Sequence, residues 1–212
     1  MERGLPVERV VTYLTDGLIR NRLLEEQDRE IYEYGLGRLV GKTVSYTALL
    51  GLSLLIGTFV PGLWFLAFFF TLRGRTGGYH AATERGCFLG TMVVYLVVMK
   101  GFLPLLVRWQ QAGVLCLVLS AAAVFAFAPV NHPNLNFDSE EMRWYKRRSH
   151  LVLAGEILAV GFLQLVGAPQ EWICSAILGM TVCGFLLCLA KAAKQEIKTE
   201  NGLRTEGREE NE

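Results

Sequence analysis

Apolar residues in this chain are gathered into blocks. Residues 43–60 and 61–72 carry no charge, 86–107 carry only Lys100, 111–130 none, 151–169 only Glu156, and 172–190 none. A membrane-spanning helix needs about 20 mostly apolar residues, with roughly 17–25 tolerated. Five of the blocks meet that length or nearly so. Within 61–72, the stretch 62–72 is too short: at ~1.5 Å per residue it covers about half of a ~30 Å hydrocarbon core. It is either a re-entrant half-helix or a full span that borrows part of residues 73–78. The pattern predicts an all-α, polytopic integral membrane protein with about six transmembrane helices, one of them short or imperfect.

Ahead of these blocks, Val7, Val10, Val11, Leu14, Leu18, Leu23 and Leu24 recur near helical spacing, with Glu8, Arg9, Asp16, Arg20 and Arg22 filling much of the rest. This reads as an amphipathic helix or pair of helices over 1–42, too charged for a cleavable signal peptide. Such a helix lies on the inner leaflet, or simply covers the protein. Residues 43–190 form the expected membrane domain, with a polar loop at 73–87 and a basic loop at 131–148. The tail 191–212 is polar and charged, a composition that favours disorder.

Composition agrees with the pattern: 52% of the 212 residues are hydrophobic and mean hydropathy is +0.33. Net charge is only +1, but all but two of the 21 Lys and Arg residues fall in 1–42, 73–85, 131–148 and 191–212. The exceptions are Arg108 and Lys100. Cytoplasmic loops are enriched in Lys and Arg. With six crossings the four basic segments share one side, giving a multi-pass cell-membrane protein with both termini cytoplasmic.

The chemistry lies in the loop between the second and third apolar segments: Arg73-Gly74-Arg75-Thr76-Gly77-Gly78-Tyr79-His80, with Cys87 seven residues after the histidine. Cys116, Cys174, Cys183 and Cys188 lie in apolar segments, where a free thiol behaves as a small hydrophobe. Cys87 instead follows Arg85 and Gly86 at the mouth of a helix. There the positive end of the macrodipole and a nearby cation suit a nucleophilic thiolate. In one straight helix, His80 and Cys87 would share a face but stand ~10.5 Å apart along the axis. A direct dyad therefore requires a bend, for which Gly77, Gly78 and Gly86 offer freedom. The same glycines also serve as packing devices in a structural reading. Glu84 either orients the imidazole or is a solvated carboxylate. Metal-ligand spacing is absent, no cofactor is expected, and nothing suggests nucleic-acid binding.

The run Arg73-x-x-x-Gly77-Gly78-x-His80-x6-Cys87 resembles the signature of the accessory gene regulator B family, membrane peptidases that process quorum-sensing pro-peptides. Residues 128–134, Ala-Pro-Val-Asn-His-Pro-Asn, and the later Lys146-Arg147-Arg148 are similar to that family's Pro-containing cytoplasmic loop, and length and hydropathy match across the chain. The resemblance implies a cysteine endopeptidase in which His80 is the general base for Cys87. It also implies an AgrD-like pro-peptide substrate with an amphipathic leader, a Cys- or Ser-containing core and an acidic tail. Cleavage through an acyl-enzyme thioester would release the tail, and the peptide's own thiol or hydroxyl would close a (thio)lactone. Backbone N–H groups of residues 86–88, or Arg73 and Arg75, are candidates for the oxyanion. Arg73, Arg75 and the Lys146-Arg147-Arg148 run hold loops inside, or attract the acidic tail. The bilayer and a second copy of the chain are the other expected partners. The rival reading is a peptide exporter without proteolysis, its polar path lined by Lys100, Glu156 and Gln164.

Overall fold

The computed structural model describes residues 6–21, 23–79, 83–131 and 138–195, all helix, turn or connection with no strand among them. The chain divides into two compact units, before and after the Ile56–Gly57 junction.

The first unit holds α1 (Pro6–Arg20), a 3-10 turn (Glu26–Asp28) and α2 (Arg29–Leu55). Helix α1 buries Val11 and Thr15 and leaves Val10 and Leu14 exposed. The amphipathic face is thus partly covered and partly free. Arg29 fastens the junction: its guanidinium donates to Glu26 at 2.7 Å, Asp16 at 2.9 Å and Glu33 at 3.3 Å. Helix α2 does not break near residue 42. It carries the polar N-terminal region straight into the first apolar block.

The second unit comprises α3 (Phe59–Thr76), α4 (Glu84–Val97), a π-helical turn (Val98–Phe102), α5 (Leu103–Arg108), α6 (Gln110–Phe127), α7 (Ser139–Leu165) and α8 (Gln170–Ala192). Four stretches are long and apolar enough to cross a membrane: Arg85–Arg108, Gln110–Phe127, Ser139–Leu165 and Gln170–Ala192. Their outward faces carry exposed Leu89, Val93, Val114, Val118, Leu158 and Phe162. Water would penalise such a surface, whereas hydrocarbon accepts it. The molecule is an all-α multi-pass membrane protein. The π turn has a local cause: Pro104 lacks an N–H, and its ring crowds the carbonyl of Lys100 four residues earlier.

Of the two readings of 62–72, the structure takes the longer: the stretch belongs to an 18-residue helix, α3, that continues through Arg73 and Arg75 to Thr76 and is ~27 Å long at 1.5 Å per residue. Another expectation changes. The basic loop expected over 131–148 is helical from Ser139 onward. Asp138 accepts from the N–H groups of Glu140 (2.7 Å) and Glu141 (2.8 Å), and Glu141 accepts from the Asp138 N–H at 3.1 Å. This capping box nucleates α7 upstream of its apolar part. Lys146, Arg147 and Arg148 therefore ride on a helix.

Helix α8 is the hub, buried along most of its length between α3 and α6. A Cβ on Gly179 would meet the Phe65 carbonyl oxygen of α3 at 2.7 Å, and one on Gly184 would meet Ser120 Cα of α6 at 3.1 Å. Helices in lipid gain little from the hydrophobic effect and associate through close packing at small residues. These two glycines supply it. Helices α3 and α8 run parallel. Trp64 stacks on Trp172 at one end, with ring centroids 6.2 Å apart. At the other end, the Tyr79 N–H just beyond α3 donates to the Leu186 carbonyl at 3.0 Å.

Candidate active site

At the shared end of α3 and α8, the glycine loop is built around Arg73. Its Nη1 donates to the Gly77 carbonyl and its Nη2 to the Tyr79 carbonyl at 2.5 Å. The helix ends because Gly77 adopts φ +66° and Gly78 φ +126°. These conformations exclude ordinary L side chains. A Cβ on Gly77 would press the Val130 carbonyl oxygen at 3.0 Å. The Val130 N–H donates to the Thr76 carbonyl at 3.0 Å, so the residue after Pro129 straps the loop from one side while α8 holds it from the other.

Beneath the loop, the Cys183 sulfur lies 3.2 Å from the Thr76 hydroxyl oxygen, both buried. Cys183 and Cys87 are the two thiols within electrostatic reach of the Arg73 guanidinium. Glu156 of α7 lies within electrostatic reach of the Cys183 sulfur. It is buried, and both carboxyl oxygens lack a hydrogen-bond partner. Cys183 thus forms the floor of the loop, a role that an apolar neighbourhood in sequence does not signal.

Cys87 sits in the first turn of α4, half-buried. The N-cap is Thr83, in an extended conformation, whose hydroxyl accepts from the Gly86 N–H at 3.1 Å. The Cys87 N–H donates to the Thr83 carbonyl at 2.9 Å. No straight helix joins residues 80 and 87, since the chain is extended at Thr83. Gly77 and Gly78 take positive φ at the end of α3, Thr83 is extended, and Gly86 is helical. The amides of Gly86 and Cys87, expected as oxyanion donors, are already engaged. So are both terminal nitrogens of Arg73. His80 lies outside the described residues, as do His132 and the Glu84 side chain.

The Accessory gene regulator B family matches residues 9–187. The chain belongs to this family. No curated protein and no solved structure matches it. AgrB membership places the protein in the processing of accessory gene regulator pro-peptides, and the match embraces the Arg73–Cys87 element, α7 and most of α8.

The remaining expected residues of this AgrB chain divide. Arg75 lies two residues beyond Arg73, half-buried and outside the loop network. Arg148 stacks over the Trp144 ring, its guanidinium carbon 4.4 Å from the centroid. Arg147 is exposed, and Lys146 lines an open pocket beside the ends of α6 and α8. Among the described residues, no group of three or more His, Cys, Asp or Glu is placed to hold a metal ion.

Proposed function

We propose that this AgrB protein is a membrane-embedded cysteine endopeptidase, with Cys87 as nucleophile and His80 as general base. It would remove the acidic C-terminal segment of an AgrD-like pro-peptide. The observation that carries the reading is the placement of Cys87: half-buried in the first turn of a capped helix, beside a glycine loop that Arg73 fixes just before His80. N–H groups of the same first turn can receive the charge that develops on the attacked carbonyl oxygen.

In the proposed sequence, His80 takes the Cys87 proton and the thiolate attacks the carbonyl at the end of the peptide core. Collapse of the tetrahedral adduct breaks the peptide bond, and His80 returns the proton to the leaving amine. The acyl group remains on Cys87 as a thioester. The peptide's own Cys thiol, or Ser hydroxyl, then attacks that thioester, closes the ring and frees Cys87. Transfer from thioester to thioester is close to isoenergetic, and limited water at the membrane edge helps cyclisation outrun hydrolysis. We assign the oxyanion to the N–H groups of Glu84 and Arg85, first-turn donors that the Thr83 cap does not engage.

The reading includes six crossings with both termini cytoplasmic and the site at the cytoplasmic face. The parallel course of α3 beside α8 supports α3 as a crossing helix, since it keeps company with a candidate span for about 21 Å. Four crossings, with neither α2 nor α3 spanning, would distribute the basic segments equally well. A cysteine placed in the 56–58 turn and probed with an impermeant thiol reagent distinguishes the two: outside labelling is expected.

The test of function is mass spectrometry of the pro-peptide co-expressed with wild type, Cys87→Ala and His80→Ala. Release of the C-terminal segment by wild type alone, with a ring-closed product or trapped acyl-enzyme, is the expected result. Equal processing by all three removes both residues from the chemistry.

A further inference from the structure

The run Ala128-Pro129-Val130-Asn131, which leaves the end of α6, has no part in the chemistry described above. It ends in a polar residue with no exposed surface, since Asn131 is 0% exposed. The position of Asn131 is set by its neighbour. The Val130 N–H donates to the Thr76 carbonyl at 3.0 Å. The Val130 carbonyl carbon, to which Asn131 is bonded, lies 3.9 Å from the Cβ position of Gly77. Asn131 therefore starts against the glycine loop. The loop is curled about one guanidinium, because Arg73 holds both the Gly77 and the Tyr79 carbonyls. His80 follows Tyr79 directly in the chain. The two backbone segments that lead into Asn131 and His80 are thus held to the same loop.

A histidine base needs a partner on its second nitrogen, because that hydrogen bond fixes the tautomer and the ring plane. The partner must accept an N–H. Arg73 has only donors. The Thr76 hydroxyl is already engaged with the Leu72 carbonyl at 3.1 Å and the Cys183 sulfur at 3.2 Å. Glu156, the buried acid near the loop floor, has no hydrogen-bond partner on either oxygen. Asn131 has the right chemistry: a carboxamide oxygen accepts one imidazole N–H while its NH2 group holds a carbonyl. Being neutral, it brings no charge into buried surroundings.

We propose that Asn131 is the positioning residue for His80. Its carboxamide oxygen accepts the ring N–H that faces away from Cys87, which leaves the other nitrogen free to take the thiol proton. The assignment rests on the proposed cysteine endopeptidase activity and names the group that aims its base.

The test is the pH profile of kcat/KM for pro-peptide cleavage by the purified full chain in detergent, with Asn131→Ala, Asn131→Asp and His80→Ala beside wild type. Asn131→Ala should lower kcat about 100-fold, the lower end of what a general base contributes, with KM little changed. Asn131→Asp should still cleave, with the acid limb of its profile moved up by about one pH unit. A carboxylate beside the imidazole favours the protonated ring, which cannot act as base. A residue that only shapes the loop would lower activity and leave that limb in place. Wild-type cleavage by Asn131→Ala overturns the assignment, as does an Asn131→Asp profile with an unmoved limb or with no cleavage at any pH. If His80→Ala is inactive in the same series, the activity reading survives that failure. Cleavage by His80→Ala at the wild-type rate overturns the activity reading itself, and this assignment with it.

Discussion

A methyl group on Gly78 would stand 1.9 Å from Nη1 of Arg73. The two residues exclude any alternative to glycine at one and demand a forked donor at the other. Gly78→Ala displaces the guanidinium from the Gly77 and Tyr79 carbonyls. Arg73→Lys keeps the charge but offers a point donor in place of a planar fork. Each is expected to reduce pro-peptide cleavage by about 100-fold, the scale of a 1 Å misplacement in a catalytic constellation, with normal membrane levels. Gly74→Ala, whose Cβ meets nothing within 4 Å, should process normally. Full activity in Arg73→Lys would show that the clamp is dispensable.

Gly179→Ala forces α3 and α8 apart, because the new Cβ meets the Phe65 carbonyl at 2.7 Å and the Phe69 nitrogen at 3.0 Å. Overpacking of this kind costs about 1–3 kcal/mol. A lowered midpoint in detergent thermal unfolding is the expected reading. Gly161→Ala, with open space around its Cβ, serves as the control and should not lower the midpoint.

Cys183 is fully buried against Thr76, whereas Cys87 is half-buried at the edge of the loop. In variants with Cys116, Cys174 and the exposed Cys188 replaced by Ser and one of the two thiols retained, Cys87 should react with a maleimide and Cys183 should stay silent until the protein unfolds. Introducing Gly78→Ala should expose Cys183 to labelling. Rapid reaction of Cys183 in the unaltered loop would contradict the packing.

Glu156 gives a stability prediction of opposite sign. A buried carboxyl with no hydrogen-bond partner is a net burden on the fold. Glu156→Leu should raise the unfolding midpoint by a few degrees, on the scale of about 1 kcal/mol. A lower midpoint would mean that the carboxyl has a stabilising partner.

Much of this arrangement was legible in the chain. Uncharged blocks near 20 residues long marked α6 and α8, and the lone Lys100 did not obscure the helical stretch around it. Helix α3 was harder. The helix runs on through Arg73 and Arg75, and Arg73 folds back on its own helix end, so this cation extends an apolar helix with its charge spent on the loop carbonyls. The Asp138–Glu141 capping box was written in the sequence, but the basic run beyond it looked like a topological signal and hid the start of α7. The floor of the site was out of reach. Nothing local marks Cys183, which is fixed by a contact with Thr76 spanning 107 residues. Gly179 and Gly184 were equally silent, because a glycine becomes a packing device only when a neighbouring backbone arrives.

That long separation bears on how the protein is made. The glycine loop emerges in the first half of synthesis, whereas its floor and one backbone anchor, Cys183 and Leu186, belong to the final helix. A nascent chain halted before α8 has the Arg73 clamp and Cys87 in hand but nothing beneath the loop. On the proposed function, competence would wait for the ribosome to deliver the last segment, and an unfinished chain in the membrane would stay inert.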